Sequence, residues 1–398
     1  MIQLASKAVC SGCGACAAVC PKQCVKMQID SFGAKYPNID DSCCVECRRC
    51  QSVCPVLNPI SGANPLKVFA ARSNDSNVAV NSASGGIAVE IYKYAISVGA
   101  YIVGARQNED FSVSLELSKD DAIINRFQNS KYVFSEAYKV YGKIEDCLKK
   151  GKKVLIIALP CQIAAVKNLF LDKYDNLFFV DIVCHGTTPV SYLQHHIRKI
   201  ESRLDQKAVK MSFRDPDFKT STFTFTLYNS ANQCFYAKRT KGGDTYQYGY
   251  HRHLSYRENC YHCLYACPER QGDITLADFP GLGKFSPFPY KKDNISCVLV
   301  NTDRGLQLIQ KLIFENKIWS IERPIEEAIA GNGQLRRPTP RPCMRKIFLK
   351  RMKSKKYDFE KAIFPLVYLG LFSEKMNKIA KFPLRVLNKI RKTVKCIL

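Results

Sequence analysis

Eight cysteines in the first 55 residues carry the clearest chemistry of this chain. Cys10, Cys13, Cys16 and Cys20 form a Cys-x2-Cys-x2-Cys-x3-Cys run closed by Pro21, and Cys44, Cys47, Cys50 and Cys54 repeat it up to Pro55. Thiolates are the ligands of iron–sulfur clusters. This spacing lets three cysteines wrap one cubane from a short loop while the fourth reaches the other cluster. The expected sets are therefore Cys10, Cys13, Cys16 and Cys54 for one cluster, and Cys44, Cys47, Cys50 and Cys20 for the other. Four-thiolate zinc sites built from Cys-x2-4-Cys pairs are the competing metal chemistry, and a disulfide framework is the competing covalent one. Zinc leaves the third and fourth cysteine of each run and both Cys-Pro steps unexplained. Cys24 and Cys43 lie outside the register and read as buried free thiols.

A second constellation is spread along the chain. Cys260-x2-Cys263-x3-Cys267-Pro268 looks like a truncated copy of the first run, and it cannot close a four-thiolate shell by itself. Two other cysteines follow continuous apolar runs, KVLIIAL before Pro160-Cys161 and LFFVDIV before Cys184-His185-Gly186. Such runs read as buried parallel strands, and open α/β sheets bind ligands in the crevice at the carboxyl ends of their strands. Cys161 and Cys184 are thus candidates to complete a third cluster with Cys260 and Cys263. Cys267 competes for the fourth position, and a structural zinc at the same thiols is the alternative. Cys-His pairs can also serve nucleophilic catalysis, but His185 adjoins Cys184, not Cys161.

Behind these residues the elements alternate. Asn58 to Pro65 is rich in turn formers and reads as a linker. Val68–Ala71, Tyr101–Ala105 and Ile295–Val300 are further strand candidates. Helices are expected at Ile87–Val98, Gln162–Phe170, from about Pro189, and at Asp303–Phe314. Residues 207–240 alternate polar and apolar, as antiparallel strands with one wet face do. Strand–helix–strand–helix order implies a parallel sheet with right-handed crossovers. The expected fold is α+β: a bacterial-ferredoxin-like domain over 1–58, an α/β domain with a mixed, largely parallel sheet over 65–335, and a basic helical tail over 336–398.

Composition bounds the rest. At 398 residues with 46% apolar content the chain can bury a sizeable core. Twenty cysteines without a basic, then apolar, leader fit metal ligation in a reducing cytoplasm better than secreted disulfides. Formal charge is +25, of which +13 lies in Cys343–Leu398, where sixteen Lys or Arg face three Asp or Glu. The excess suits an acidic redox partner, an anionic substrate or a membrane surface. Between Lys375 and Lys395 cations interleave with apolar residues at helical spacing, as in helices that lie on anionic lipid or dock on a partner. Residues 362–372 are apolar but too short for a membrane span. No zinc-finger, KH or RRM-type pattern accompanies the charge, so nucleic acid is not expected.

Further motifs stand in order: Ser82-Ala83-Ser84-Gly85-Gly86, Lys131-Tyr132-Val133-Phe134-Ser135, Leu159-Pro160-Cys161-Gln162, Asp181 to Gly186, Phe213-Arg214-Asp215, Cys260-Tyr261-His262-Cys263 and Gly272 to Phe279. With the cysteine runs, they make the chain resemble the family of coenzyme F420 hydrogenase/dehydrogenase beta subunits up to about residue 305. The resemblance implies an iron–sulfur flavoprotein that binds FAD against an α/β core. Ser84, Gly85, Gly86, Lys131, Tyr132 and Ser135 would face the FAD, and Cys161, Cys184, Cys260 and Cys263 would hold the third cluster. It implies an oxidoreductase that passes electrons from ferredoxin-level donors through clusters and FAD to a small organic acceptor, F420-like or related to sugars and surface polysaccharide. An electron-transfer subunit serving a partner enzyme is the alternative. Pro280 and Leu159 depart from the family's usual Trp and Thr, so the acceptor is not carried over. The expected location is cytoplasmic, peripheral to the inner face of the membrane if the tail touches lipid.

Overall fold

The computed structural model describes residues 2–376; most of the Lys375–Lys395 segment lies outside the described residues. The N-terminal module holds one hairpin, β1 (Val25–Ile29) against β2 (Lys35–Ile39), and two short helices, Ala15–Val19 and Arg49–Ser52. Those helices hold the internal repeat in space. Each begins beside the third cysteine of its run and ends at the fourth, so Cys16 and Cys20, like Cys50 and Cys54, stand one helical turn apart.

The remaining strands are β3 (Lys67–Ser73), β4 (Tyr101–Gln107), β5 (Val113–Ser118), β6 (Ser135–Glu136), β7 (Val154–Ala158), β8 (Leu177–Ile182), β9 (Lys210–Ser212), β10 (Thr224–Tyr228), β11 (Cys234–Arg239), β12 (Ile274–Asp278), β13 (Ser296–Val300) and β14 (Ile318–Arg323). Nine of them form one sheet in the order β14-β3-β13-β12-β8-β7-β4-β5-β6, and β11-β10-β9 form a smaller antiparallel one. The middle four, β12, β8, β7 and β4, are parallel, with antiparallel pairs on both flanks. The sheet is mixed with a parallel centre, as the apolar runs required. Every residue of β7 and of β13 is buried, the signature of strands covered on both faces.

Two packing results go beyond the sequence reading. The cluster module is not a loose appendage: Ala15, Cys13 and Val53 share a core with Tyr141, Ile163 and Phe179 of the α/β domain, and Tyr141 Oη donates to the carbonyl of Cys13 at 2.9 Å. The segment from 336 is likewise built into the body. Phe348, Met352, Phe359, Ala362 and Ile363 are fully buried beside Tyr192 and Phe225, and Arg345 Nη2 donates to the carbonyl of Tyr256 at 2.7 Å.

Candidate iron–sulfur sites

Turning the chain back through the helices Ala15–Val19 and Arg49–Ser52 sorts the eight N-terminal thiols into two groups. One space of about 340 Å³ is walled by Cys10, Cys13, Cys16 and Cys54. Another, of about 350 Å³, is walled by Cys20, Cys44, Cys47 and Cys50, with Cys24 beside them. The grouping crosses the two runs in the way two-cluster modules require. Cys24 is buried, with its Sγ 3.7 Å from that of Cys20, whereas Cys43 is exposed. The reading of both as buried thiols therefore holds for Cys24 alone: Cys43 sits in the open loop before the second run.

The third group is assembled by the sheet. Cys161 is the second residue of the helix Pro160–Phe170, which starts directly where β7 ends; the sequence reading began that helix two residues later. Pro is tolerated there because a first-turn N–H has no intrahelical partner. Gln162 fixes the turn, accepting from the Leu159 N–H at 3.2 Å and donating to the Ser135 carbonyl at 2.9 Å. Cys184 stands two residues past the neighbouring strand β8. Gly186 behind it has φ 139°, and a Cβ there would overlap the Tyr256 ring. Cys260 and Cys263 come from the loop around the 3-10 turn Glu258–His262. All four thiols wall one pocket of about 580 Å³, partly open to solvent. Cys267 is not on that wall; its Sγ lies 3.2 Å from the Glu269 carbonyl and 3.7 Å from that of Leu264.

The electrostatics suit an iron–sulfur core. Burial pushes the thiols of Cys161, Cys184 and Cys263 upward, and the neighbouring thiols push them further, Cys263 to about 11. Cys13 is also pushed to about 11 by burial. Metal ligation requires deprotonated sulfur, so a metal must supply the opposing charge that holds Cys161, Cys184 and Cys263 as thiolates. Among the described residues no three His, Cys, Asp or Glu side chains converge tightly enough for a single metal ion; the thiols surround volumes. Positive charge is nonetheless close. Buried Arg270 lines the third pocket and pairs with Asp181 at 3.1 Å, and the amino end of the helix Pro160–Phe170 adds its dipole.

Arg257 links two of the pockets. It lines the third one, donates through Nη1 to the Ser11 carbonyl at 2.6 Å, and lies 4.3 Å from the Phe134 ring centroid. Gly12 makes room for it: at φ +67° a Cβ would stand 2.5 Å from Arg257 Nη2. The charge also pulls the Cys10 thiol down against the larger upward push of burial. Reduction adds negative charge to a cluster, so this cation favours the reduced forms at both neighbouring sites. With clusters held in both neighbouring pockets, Arg257→Gln is expected to move the two reduction potentials negative, each by on the order of 50 mV for an interaction of about 1 kcal/mol. The site of Cys20, Cys44, Cys47 and Cys50 keeps its potential. An EPR-monitored redox titration reads this directly, and a single shifted centre contradicts the bridging position.

The six residues that the resemblance turned toward FAD lie on two segments, which Gln128 Nε2 joins by donating to Ser82 Oγ at 2.9 Å. Ser84 Oγ donates to the Ile295 carbonyl and the Gly85 N–H to Ser296 Oγ, both at 2.8 Å, tying that turn to the end of β13. Gly86 caps the helix Ile87–Ser97. Lys131 Nζ donates to the carbonyls of Phe127 and Gln128 at 3.1 and 3.0 Å, and burial pulls its pKa down to about 7. Tyr132 stacks on Tyr250 at 4.6 Å, and Ser135 is bound to Gln162. The side-chain oxygens of Ser84 and Ser135 and the Lys131 ammonium are thus engaged by protein groups as packed. Motif reading missed a different face beside Cys184, where His185, His251 and His253 gather near Tyr132, Tyr250 and Phe223. Burial, then the neighbouring imidazoles, pulls His251 and His253 down to about 4, so both are neutral at pH 7. The sequence hint for the two arginines was their placement three residues either side of the Cys260–Cys267 run.

Residues 9–58 match the family model of the 4Fe-4S dicluster domain, and residues 151–325 match that of the C terminus of the coenzyme F420 hydrogenase/dehydrogenase beta subunit. One subunit of the F(420)H(2) dehydrogenase of Methanosarcina mazei is 24% identical over 228 residues, 53% of this chain and 63% of that protein. An uncharacterized protein of Methanocaldococcus jannaschii is 29% identical over 201 residues, 42% of this chain and 54% of its own length. The chain thus spans less than two thirds of either relative. A chain from the F420-reducing [NiFe] hydrogenase complex of Methanosarcina barkeri superposes with a TM-score of 0.47 at 19% identity, covering 75% of this chain and 90% of that one.

Proposed function

We propose that this chain, which joins a 4Fe-4S dicluster domain to the C-terminal domain of the coenzyme F420 hydrogenase/dehydrogenase beta subunit, is an electron-transfer unit with three [4Fe–4S] clusters in series. One observation carries the reading: Ser11 lies on the walls of both the Cys10/Cys13/Cys16/Cys54 pocket and the Cys161/Cys184/Cys260/Cys263 pocket. Tyr141 and Tyr265 support it, each lying within electrostatic reach of both Cys13 and Cys161. The Cys20/Cys44/Cys47/Cys50 site adjoins the first across the one-turn helices that separate Cys16 from Cys20 and Cys50 from Cys54.

Each cluster supplies one-electron chemistry, with a potential set by charge, hydrogen bonds and solvent exposure. The chain's own residues do the rest. The thiolates hold the clusters, Arg257 and Arg270 balance their charge, and Phe134 and Tyr265 line the third site. The outer site opens beside Lys22, Arg48 and Arg49, a cationic entrance suited to an acidic redox partner.

A second reading, an oxidoreductase reducing a small organic acceptor, is favoured by the aromatic and histidine face beside Cys184. Organic reductions commonly need two electrons, and the FAD implied by the resemblance would convert one-electron to two-electron transfer. The acceptor would be F420-like or sugar-related. Anaerobic purification followed by assay of iron, acid-labile sulfide, zinc and released flavin tests both. Three clusters require about twelve iron and twelve sulfide per chain. About eight iron refutes the third cluster, and stoichiometric zinc refutes the scheme. One released flavin per chain with turnover of an organic acceptor selects the oxidoreductase; no flavin selects the electron carrier.

A further inference from the structure

The helical residues 359–376 are apolar on both sides, which one protein core does not require. The inner side is spent: Phe359, Ala362, Ile363, Leu366 and Val367 are buried against the body, and Gly370 fits beneath the Tyr248 hydroxyl. Glu360 locks the first turn, accepting from Thr245 Oγ1 at 2.8 Å and pairing with His196. The outer side is a stripe repeating every four residues. Phe364 is 62% exposed, Tyr368 68%, Phe372 57% and Met376 49%, with Leu369 alongside at 58%. Residues four apart share a helix face, so these five form one contiguous apolar ridge. Ridges of this kind on an otherwise polar surface mark an interaction site.

We propose that this ridge is a docking surface for an anionic lipid bilayer. The charge of this part of the sequence selects that occupant. From Cys343 to Met376 nine Lys or Arg accompany three Asp or Glu, and the sequence 377–398 carries seven more cations and no acid. Apolar aromatics that enter the headgroup region beside lysines whose stems reach back to the phosphates are the composition of interfacial helices. No helix among the described residues is long and apolar enough to cross a membrane, so the chain would lie on the surface. The ridge is held by the His196–Glu360 contact to the body and does not include the thiol pockets. Its function is therefore separable from theirs: the ridge would bring an electron-transfer unit to a bilayer without inserting it.

The test is co-sedimentation of the full-length, cluster-loaded protein with phosphatidylcholine vesicles, with and without phosphatidylglycerol. Wild type is expected to pellet with the phosphatidylglycerol vesicles and to be released by salt. The Phe364→Glu/Phe372→Glu double variant, altered only at exposed positions, is expected to bind at least about tenfold more weakly with unchanged iron content. Failure of wild type to pellet overturns the proposal. Equal binding by the double variant also overturns it, since cations alone would then suffice. A dimer that the double variant dissolves, without vesicle binding, reassigns the ridge to a second copy of the chain. None of these outcomes depends on how many clusters the chain holds.

Discussion

Cys161→Ser is expected to lose about four of about twelve iron per chain while both N-terminal clusters stay intact. The reason lies in how the third pocket is made. Its thiols come from the ends of two strands and from a loop some 80 residues further on, so no local run can compensate for a missing one. At the start of the helix Pro160–Phe170 a serine hydroxyl offers iron a poorer, less acidic ligand in a buried place. Electron transfer beyond the second cluster should fall by at least two orders of magnitude, because the series is then broken. Cys184→Ser and Cys263→Ser are expected to behave alike. Cys267→Ser should keep all the iron, since that sulfur rests on the carbonyls of Leu264 and Glu269. Iron and sulfide assays with EPR of the dithionite-reduced variants decide it. Iron lost from Cys267→Ser but kept in Cys263→Ser would exchange the two. Full iron in Cys161→Ser with lost turnover would make Cys161 a nucleophile.

His196→Leu is expected to be the most destabilising single substitution, at about 3–5 kcal/mol. His196 is buried, with Nε2 3.0 Å from Asp244 Oδ2 and Nδ1 2.8 Å from Glu360 Oε1. Tyr236 Oη donates to the same Asp244 oxygen at 3.0 Å, Thr245 Oγ1 reaches Nδ1 at 3.1 Å, and the Tyr246 ring stacks at 5.9 Å. Burial opposes the imidazolium, but the Asp244 and Glu360 carboxylates outweigh it and lift His196 to about 10. Removing the cation leaves the fully buried Asp244 carboxylate without its partner. It also removes the tie from Glu360 to the helix Val190–Leu204, leaving the one from Thr245 of the helix Thr245–His251. The unfolded chain releases this proton near pH 6.5, whereas the folded chain holds it to about 10. The contribution is therefore complete below pH 6.5 and declines as pH rises through 10. Urea unfolding under anaerobic conditions at pH 6, 8 and 10 should show that decline in wild type and its absence in His196→Leu. Equal slopes in both would remove His196 from the account.

Local spacing was enough for the chemistry of the first 58 residues. A cubane needs three thiolates from one short loop, so Cys10, Cys13 and Cys16 announced a cluster, and the paired run supplied the partner for Cys20 and Cys54. The parallel strands β7 and β8 were legible for a similar reason, because a strand buried on both faces has no polar alternation. Only the tertiary structure decided which of Cys263 and Cys267 faces Cys161 and Cys184. Both fit the spacing, and the choice was made by the loop's carbonyls. The hydrogen bonds of Ser84, Gly85, Lys131 and Ser135 to Ile295, Ser296, Phe127 and Gln162 were equally out of reach of the sequence, because packing and not spacing sets those partners. The roles of Arg257 and His196 were not legible because their partners, Ser11 and Lys35 in one case and Asp244 and Glu360 in the other, are distant in sequence. The residues from 336 read as a basic helical tail outside the domains because composition records charge, not contact. Packing divided its apolar residues into a buried inner face and an exposed ridge.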